Sequence, residues 1–277
     1  MNATTPLPMP LTFQFDRASL RAQAESLKSS WSSASPFPHI VVDNLFPPEV
    51  LDAVLCEYPE PEDVDWQRFN APTEVKLAIA DTSQMGPVTR HLLNELNGQV
   101  FIEFLETVTG IKGLIPDPHL WGGGLHQIRK GGYLKVHADF NRHKHLKLDR
   151  RLNALVYLNK NWPESYRGEL ELWDKTMTAC GQRIRPLFNR MVVFATTDFT
   201  YHGHPDPLAC PPDRARRSLA LYYYSNGRPP EEVTPDHTTL FKHRPGENYA
   251  MKRNWKDSVK RWVPPAIVDM LGRKKAD

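Results

Sequence analysis

Beyond Pro118 the chain breaks into short runs of β-forming residues separated by turn residues, and no interval between them holds a helix-length pattern. The runs are Leu125–Ile128, Tyr133–Asp139, Leu152–Leu158, Glu169–Trp173, Met191–Ala195, Tyr201–His204 and Ser218–Tyr224. About seven consecutive strands without crossover helices cannot make a parallel sheet, so they predict an antiparallel sandwich or barrel such as a jelly roll. The 25 prolines among 277 residues, with only 15 glycines, agree with a turn-rich β architecture. Ahead of this core the pattern is helical. Leu20, Ala24, Leu27 and Trp31 form one stripe of a helix opening at Asp16, prolines 47 and 48 open a helix carrying Leu51 and Val54, and residues 87–109 carry a longer stripe that Asn97-Gly98 divides. Residues 59–85 read as irregular, and the last fifty hold one amphipathic stretch, Val259–Leu271.

The expected class is therefore α+β with a mainly β core and supporting N-terminal helices. Its expected organisation is a flexible lead-in and helix at 1–35, a helical support region at 36–118, a catalytic β core at 119–226 and a basic C-terminal extension at 227–277. Formal charge is +3, and residues 242–277 hold ten Lys/Arg against four Asp/Glu, so the basic character belongs to the tail. A short cationic tail of this kind reads as a solvated surface, and no nucleic-acid partner is expected. Cys56, Cys180 and Cys210 form neither a CxxC pair nor a dense even framework, which favours a reducing compartment, and no apolar run reaches the ~18 residues of a membrane span. A cytoplasmic location with no membrane partner is the expectation.

Chemistry concentrates in Tyr133-Leu-Lys-Val-His137-Ala-Asp139. On a strand, a His and an Asp two apart point to one face and can converge on one ion. A second imidazole stands 65 residues after His137 in Thr200-Tyr201-His202-Gly203-His204, and Arg216-Arg217-Ser218 follows 14 residues after His202. Two imidazoles and a carboxylate on one face of an octahedral ion form the facial triad of non-haem Fe(II) oxygenases, with three positions left open. A dicarboxylate chelating such an ion through one end needs a fixed cation at the other, which the guanidinium of Arg216 supplies bidentately. By alternation either His202 or His204 can be the distal ligand. His126, Gln127 and Tyr133 read as packing or as the mouth of the site, and His143 and His145 as a solvated loop.

These blocks resemble the prolyl-4-hydroxylase-like group of the Fe(II)/2-oxoglutarate oxygenases over Pro36 to about Gly227. Pro36-Phe-Pro-His-Ile-Val-Val-Asp-Asn-Leu-Phe-Pro-Pro is similar to the family's lead strand and helix, Gly131 to Asp139 to its first metal motif, Tyr157-Leu-Asn-Lys-Asn-Trp and Gly168-Glu-Leu-Glu-Leu-Trp to its third and fourth core strands, and Arg216-x-Ser218 to its cosubstrate strand. The resemblance implies a double-stranded β-helix, with His137, Asp139 and His202 as catalytic metal ligands and His202 preferred over His204 because Tyr201-His202 matches the family's aromatic-His placement. It implies Arg216 and Tyr157 on the cosubstrate; Asn153 shares a face with Tyr157 by period two and reads either as touching the cosubstrate or as making a structural hydrogen bond. The implied cofactors are Fe(II), 2-oxoglutarate and O2, with ascorbate as an optional addition, and the implied substrate is a small molecule or a peptidyl residue. The implied reaction is hydroxylation, since Asp139 stands where related halogenases carry a small residue. An AlkB-like demethylase is disfavoured because Tyr222 occupies the place of its second arginine. The rival of another class is a non-catalytic cupin-like module binding a metal or a sugar.

Overall fold

The computed structural model describes residues 13–250 of the chain. The lead-in before Phe13, the amphipathic stretch Val259–Leu271 and most of the basic tail lie outside the described residues. In order, the elements are α1 (Arg17–Ser33), β1 (His39–Asp43), α2 (Pro48–Cys56), β2 (Gln67–Ala71), β3 (Glu74–Ile79), α3 (Pro87–Leu96), α4 (Gln99–Thr109), β4 (Ile115–Pro116), β5 (Gly124–Arg129), β6 (Tyr133–Ala138), β7 (Asp149–Tyr157), β8 (Leu170–Trp173), β9 (Cys180–Ile184), β10 (Arg190–Ala195), β11 (His202–His204), β12 (Ala215–Ser225) and β13 (Leu240–Phe241).

Local chemistry explains the helices. The Asp16 carboxylate accepts from Ser19 N at 2.8 Å and caps α1, while Pro48 and Pro87 occupy the first turns of α2 and α3, where no N–H is missed. Asn97 ends α3 and Gly98 opens α4, so the long stripe is two helices, and Gly110 closes α4 at φ 75°. No helix among the described residues is long and apolar enough to cross a membrane.

All strand pairs are antiparallel, in the order β1-β10-β7-β12-β5-β3-β6-β11-β8-β9. Strand β3 pairs with both β5 and β6, and so carries the ladder from the larger run of strands into the smaller one. The sheet curls into the jelly-roll form of the double-stranded β-helix. Alternation divides its faces. On β7, Leu152, Ala154 and Val156 pack on the helical layer, and on β12 Leu219, Leu221 and Tyr223 do the same. Their neighbours Asn153 and Leu155, and Arg216, Ser218 and Tyr222, face an internal cavity. The Tyr223 hydroxyl donates to Leu96 O at 2.9 Å and ties that outer layer to α3.

The stretch 59–85, read as irregular, instead contains the hairpin β2–β3, and β9 was not foreseen. Gln67-Arg-Phe-Asn-Ala carries almost no β-forming signal; its pairing comes from long-range ladder bonds, which outweigh weak propensity. The approach of β3 to β5 is tight: a Cβ on Gly124 would lie 2.0 Å from Ile79 O, and its φ of 87° is one only glycine adopts freely.

Candidate active site

His137 ends β6 and His202 opens β11, and the ladder sets these residues directly opposite each other. Asp139 follows β6 by one residue. Each imidazole Nδ1 contacts a carbonyl, Lys135 O at 2.8 Å and Thr200 O at 3.0 Å. A carbonyl only accepts, so both Nδ1 atoms carry the proton and both Nε2 atoms are turned toward Asp139. Those Nε2 atoms lie 3.6 Å and 3.5 Å from the Asp139 carboxylate, and one ligand atom from each of the three residues falls within 4.8 Å of the others. His204 is outside this cluster. Burial, against the pull of Asp139, lowers the His202 imidazole to about 4, so it is neutral near pH 7. Two imidazoles, each fixed from behind by a backbone carbonyl, and one carboxylate form a donor set that fits Fe(II).

The carboxylate is held by residues with no motif. Asn153 Nδ2 donates to Asp139 Oδ2 at 2.7 Å, and Arg150 Nη2 lies 3.1 Å from the same oxygen. Arg150 Nε also donates to Asn153 Oδ1 at 3.0 Å, and the guanidinium carbon sits 3.5 Å from the Tyr222 ring centroid. Burial by itself would raise the Asp139 carboxyl, but the Arg150 guanidinium and then His202 outweigh it and hold it well below the usual carboxylate range. Asn153, read as touching the cosubstrate or making a structural hydrogen bond, thus makes a hydrogen bond to this carboxylate and also lines the cavity.

At the deeper end Arg216 is 4% exposed. Its Nε donates to Gly168 O at 2.8 Å and its Nη2 to the Tyr157 hydroxyl at 3.1 Å. Register accounts for the meeting, since Ser218 lies opposite Tyr157 and Arg216 is the next residue on that face. Burial raises the Tyr157 phenol, which stays protonated. Among the described residues Arg216 has no acidic partner, and a buried cation without a counter-ion is costly unless a ligand supplies the charge. Arg217 faces the other way and pairs with Glu60.

A cavity of about 220 Å³ joins the three-residue cluster and Arg216, while Tyr157 touches it only through Arg216 and is not one of its lining residues. The inner face of the β2–β3 hairpin, including Phe69, Glu74 and Lys76, forms one wall, and Thr239 and Phe241 form another. Strand β13 pairs with β6 so that Phe241 lies opposite His137, ring centroids 5.5 Å apart. Ion pairs of Arg244 with Asp206 at 2.7 Å and of Lys135 with Glu247 at 2.6 Å hold that segment down. The stretch 59–85 thus reaches the cavity largely as strand, and the C-terminal segment reaches it through Thr239 and Phe241.

His126 lines the cavity, whereas Gln127 and Tyr133 do not. His143, read as part of a solvated loop, is 1% exposed, because its Nδ1 accepts the backbone N–H groups of His145 and Leu146. Reading the sequence missed Arg150, Lys76 and Phe241. Arg150 precedes the alternating run Leu152–Leu158 in the sequence and so resembles a flanking surface charge, although β7 includes it, and the other two reach the site only through non-local pairing.

Two expectations follow from this geometry. A Cβ on Gly203 would lie 2.8 Å from Leu134 O, a backbone atom, so Gly203→Ala should push β11 off β6 and weaken Mn(II) binding by at least about tenfold in a calorimetric titration. Burial, then Lys76, lowers His126 to about 3. Its folded pKa is thus below the unfolded value of about 6.5, so protonation favours the unfolded chain. Metal-free protein should lose stability as pH falls from about 6.5 toward 3, less steeply in His126→Leu, by urea titration at stepped pH.

The fold and this constellation define the class of Fe(II)/2-oxoglutarate-dependent oxygenases. Residues 123–224 match the family model described as the 2OG-Fe(II) oxygenase superfamily, whose metal is Fe(II) and whose cosubstrate is 2-oxoglutarate. No curated protein matches the chain. Among solved structures it is similar in fold to a prolyl-4-hydroxylase of Pseudomonas putida, at TM-score 0.51 and 13% identity over 74% of this chain and 100% of that one. It is also similar to a prolyl hydroxylase from Trichoplax adhaerens in complex with a hypoxia inducible factor oxygen degradation domain peptide fragment, at TM-score 0.52 and 15% identity over 78% and 96%. A third is HygX from Streptomyces hygroscopicus with nickel, 2-oxoglutarate and hygromycin B bound, at TM-score 0.50 and 12% identity over 78% and 96%.

Proposed function

We propose that the protein hydroxylates an unactivated C–H bond of an amino-acid residue, a free amino acid or a natural-product intermediate. Fe(II) would be held by His137, Asp139 and His202, and 2-oxoglutarate by Arg216 and Tyr157 at its distal carboxylate. When bound, the metal with 2-oxoglutarate and O2 supplies the oxidising power, and the keto acid leaves as succinate and CO2. Everything else falls to the chain. Arg216 and Tyr157 orient the dicarboxylate, Phe241 and the β2–β3 hairpin exclude water, and the cavity walls place the target hydrogen.

The observation that carries the reading is the pairing, in one cavity, of the three-residue cluster with a buried arginine lacking a counter-ion. At about 220 Å³ the cavity is smaller than the ~300 Å³ at the low end of ligand pockets, which suits the cosubstrate plus a single side chain or a small substrate's reacting end. One fold neighbour holds a peptide fragment and another hygromycin B, so a scaffold of this kind can receive either a peptide or a small molecule. The test is release of succinate from 2-oxoglutarate, dependent on Fe(II), combined with a metabolite and peptide screen for products heavier by one oxygen. Binding of metal and 2-oxoglutarate without any succinate would leave the non-catalytic module as the better account.

A further inference from the structure

We infer that His204 is a third hydrogen-bonding partner of the cosubstrate's distal carboxylate, beside Arg216 and Tyr157; this rests on the oxygenase reading above. His204 lies two residues beyond His202 on β11, on the same face, but its ladder partner is Leu134 rather than His137. It is therefore one step deeper than the metal cluster, away from the wall formed by Phe241.

The ring is 4% exposed and lines the cavity. Neither ring nitrogen has a hydrogen-bond partner among the described residues, and Nδ1 is fully buried. This contrasts with the other histidines of the cavity: His137 and His202 are tied to carbonyls, and His126 Nε2 lies 3.2 Å from Gly122 O. A buried N–H without an acceptor is expensive, and native sites that keep one commonly lend it to a ligand.

The ligand's charge follows from the neighbours. Arg216 and Lys76 are cations lining the same cavity as the His204 ring. Glu74, on the same cavity wall, is engaged by Lys76 at 3.1 Å, and Arg216 has only neutral partners. What is missing at this end is one anionic acceptor, which a carboxylate provides. A carboxylate gripped by Arg216 and Tyr157 has lone pairs to spare for an imidazole N–H on the facing strand.

The inference is tested by anaerobic calorimetric titration of the Mn(II)-loaded protein with 2-oxoglutarate and with 2-oxobutanoate, which has the same keto-acid head but no distal carboxylate. His204→Leu is expected to weaken 2-oxoglutarate binding about ten- to a hundred-fold. Affinities for 2-oxobutanoate and for Mn(II) should change less than about twofold. Equal losses for the two keto acids, or an unchanged affinity for 2-oxoglutarate, would overturn it. Should the leucine variant fail to fold by thermal melt, His204→Asn is put through the same comparison. Arg216→Ala serves as the control: if it leaves 2-oxoglutarate binding intact, the oxygenase reading fails, and not merely the role of His204.

Discussion

Asp139→Ala should abolish succinate release, by at least about a thousandfold, and should also leave the metal-free protein less stable by about 3–5 kcal/mol. The first effect arises because Asp139 is the one anion in the three-residue cluster, so its removal strips the proposed metal site of one donor and of the charge that would attract a divalent cation. The second arises behind the ligand. Arg150 is 1% exposed and lies 3.1 Å from Asp139 Oδ2, and without the carboxylate its charge is left buried and uncompensated. Turnover, Mn(II) retention and urea unfolding measure the two effects separately. Wild-type succinate release in the alanine variant would show that the carboxylate is not a ligand.

Arg150→Met is the complementary case. Removing this guanidinium leaves Asp139 buried against Asn153 alone and takes a stacked cation from the Tyr222 ring, so a loss of about 3–5 kcal/mol is again expected. Metal affinity should fall about ten- to a hundred-fold, the usual cost of losing the group that orients a ligand. The double variant Asp139→Ala/Arg150→Met should recover most of the stability, since no charge is then stranded, while recovering none of the metal binding. If Arg150→Met unfolds within about 1 kcal/mol of wild type, or if the double variant is as unstable as the sum of the two singles, the buried pair is not what holds this part of the site.

The motif-bearing residues were legible because β-structure projects sequence spacing directly onto geometry. His137 and Asp139 sit two apart on adjacent positions of one face, and Arg216 and Ser218 do the same on β12, so alternation alone predicts which side chains meet. Alternation also leaves a tie, as at His202 and His204, which face the same way; the ladder decides it by setting His202 opposite His137. Asn153 shows the other limit. Its face was evident from its spacing to Tyr157, but not that an arginine three residues before it would draw its amide onto Asp139.

The chain by itself determined the alternating strands, the capped helices and the order in which two imidazoles, a carboxylate and an arginine appear, because each depends on interactions within a few residues. Tertiary structure alone decided that Gln67–Ala71 and Glu74–Ile79 become a cavity wall, that Phe241 comes to rest opposite His137, and that Arg150 is buried against Asp139. Each of those outcomes depends on hydrogen bonds or charges contributed by segments distant in sequence, and a local pattern carries no information about which partner will arrive.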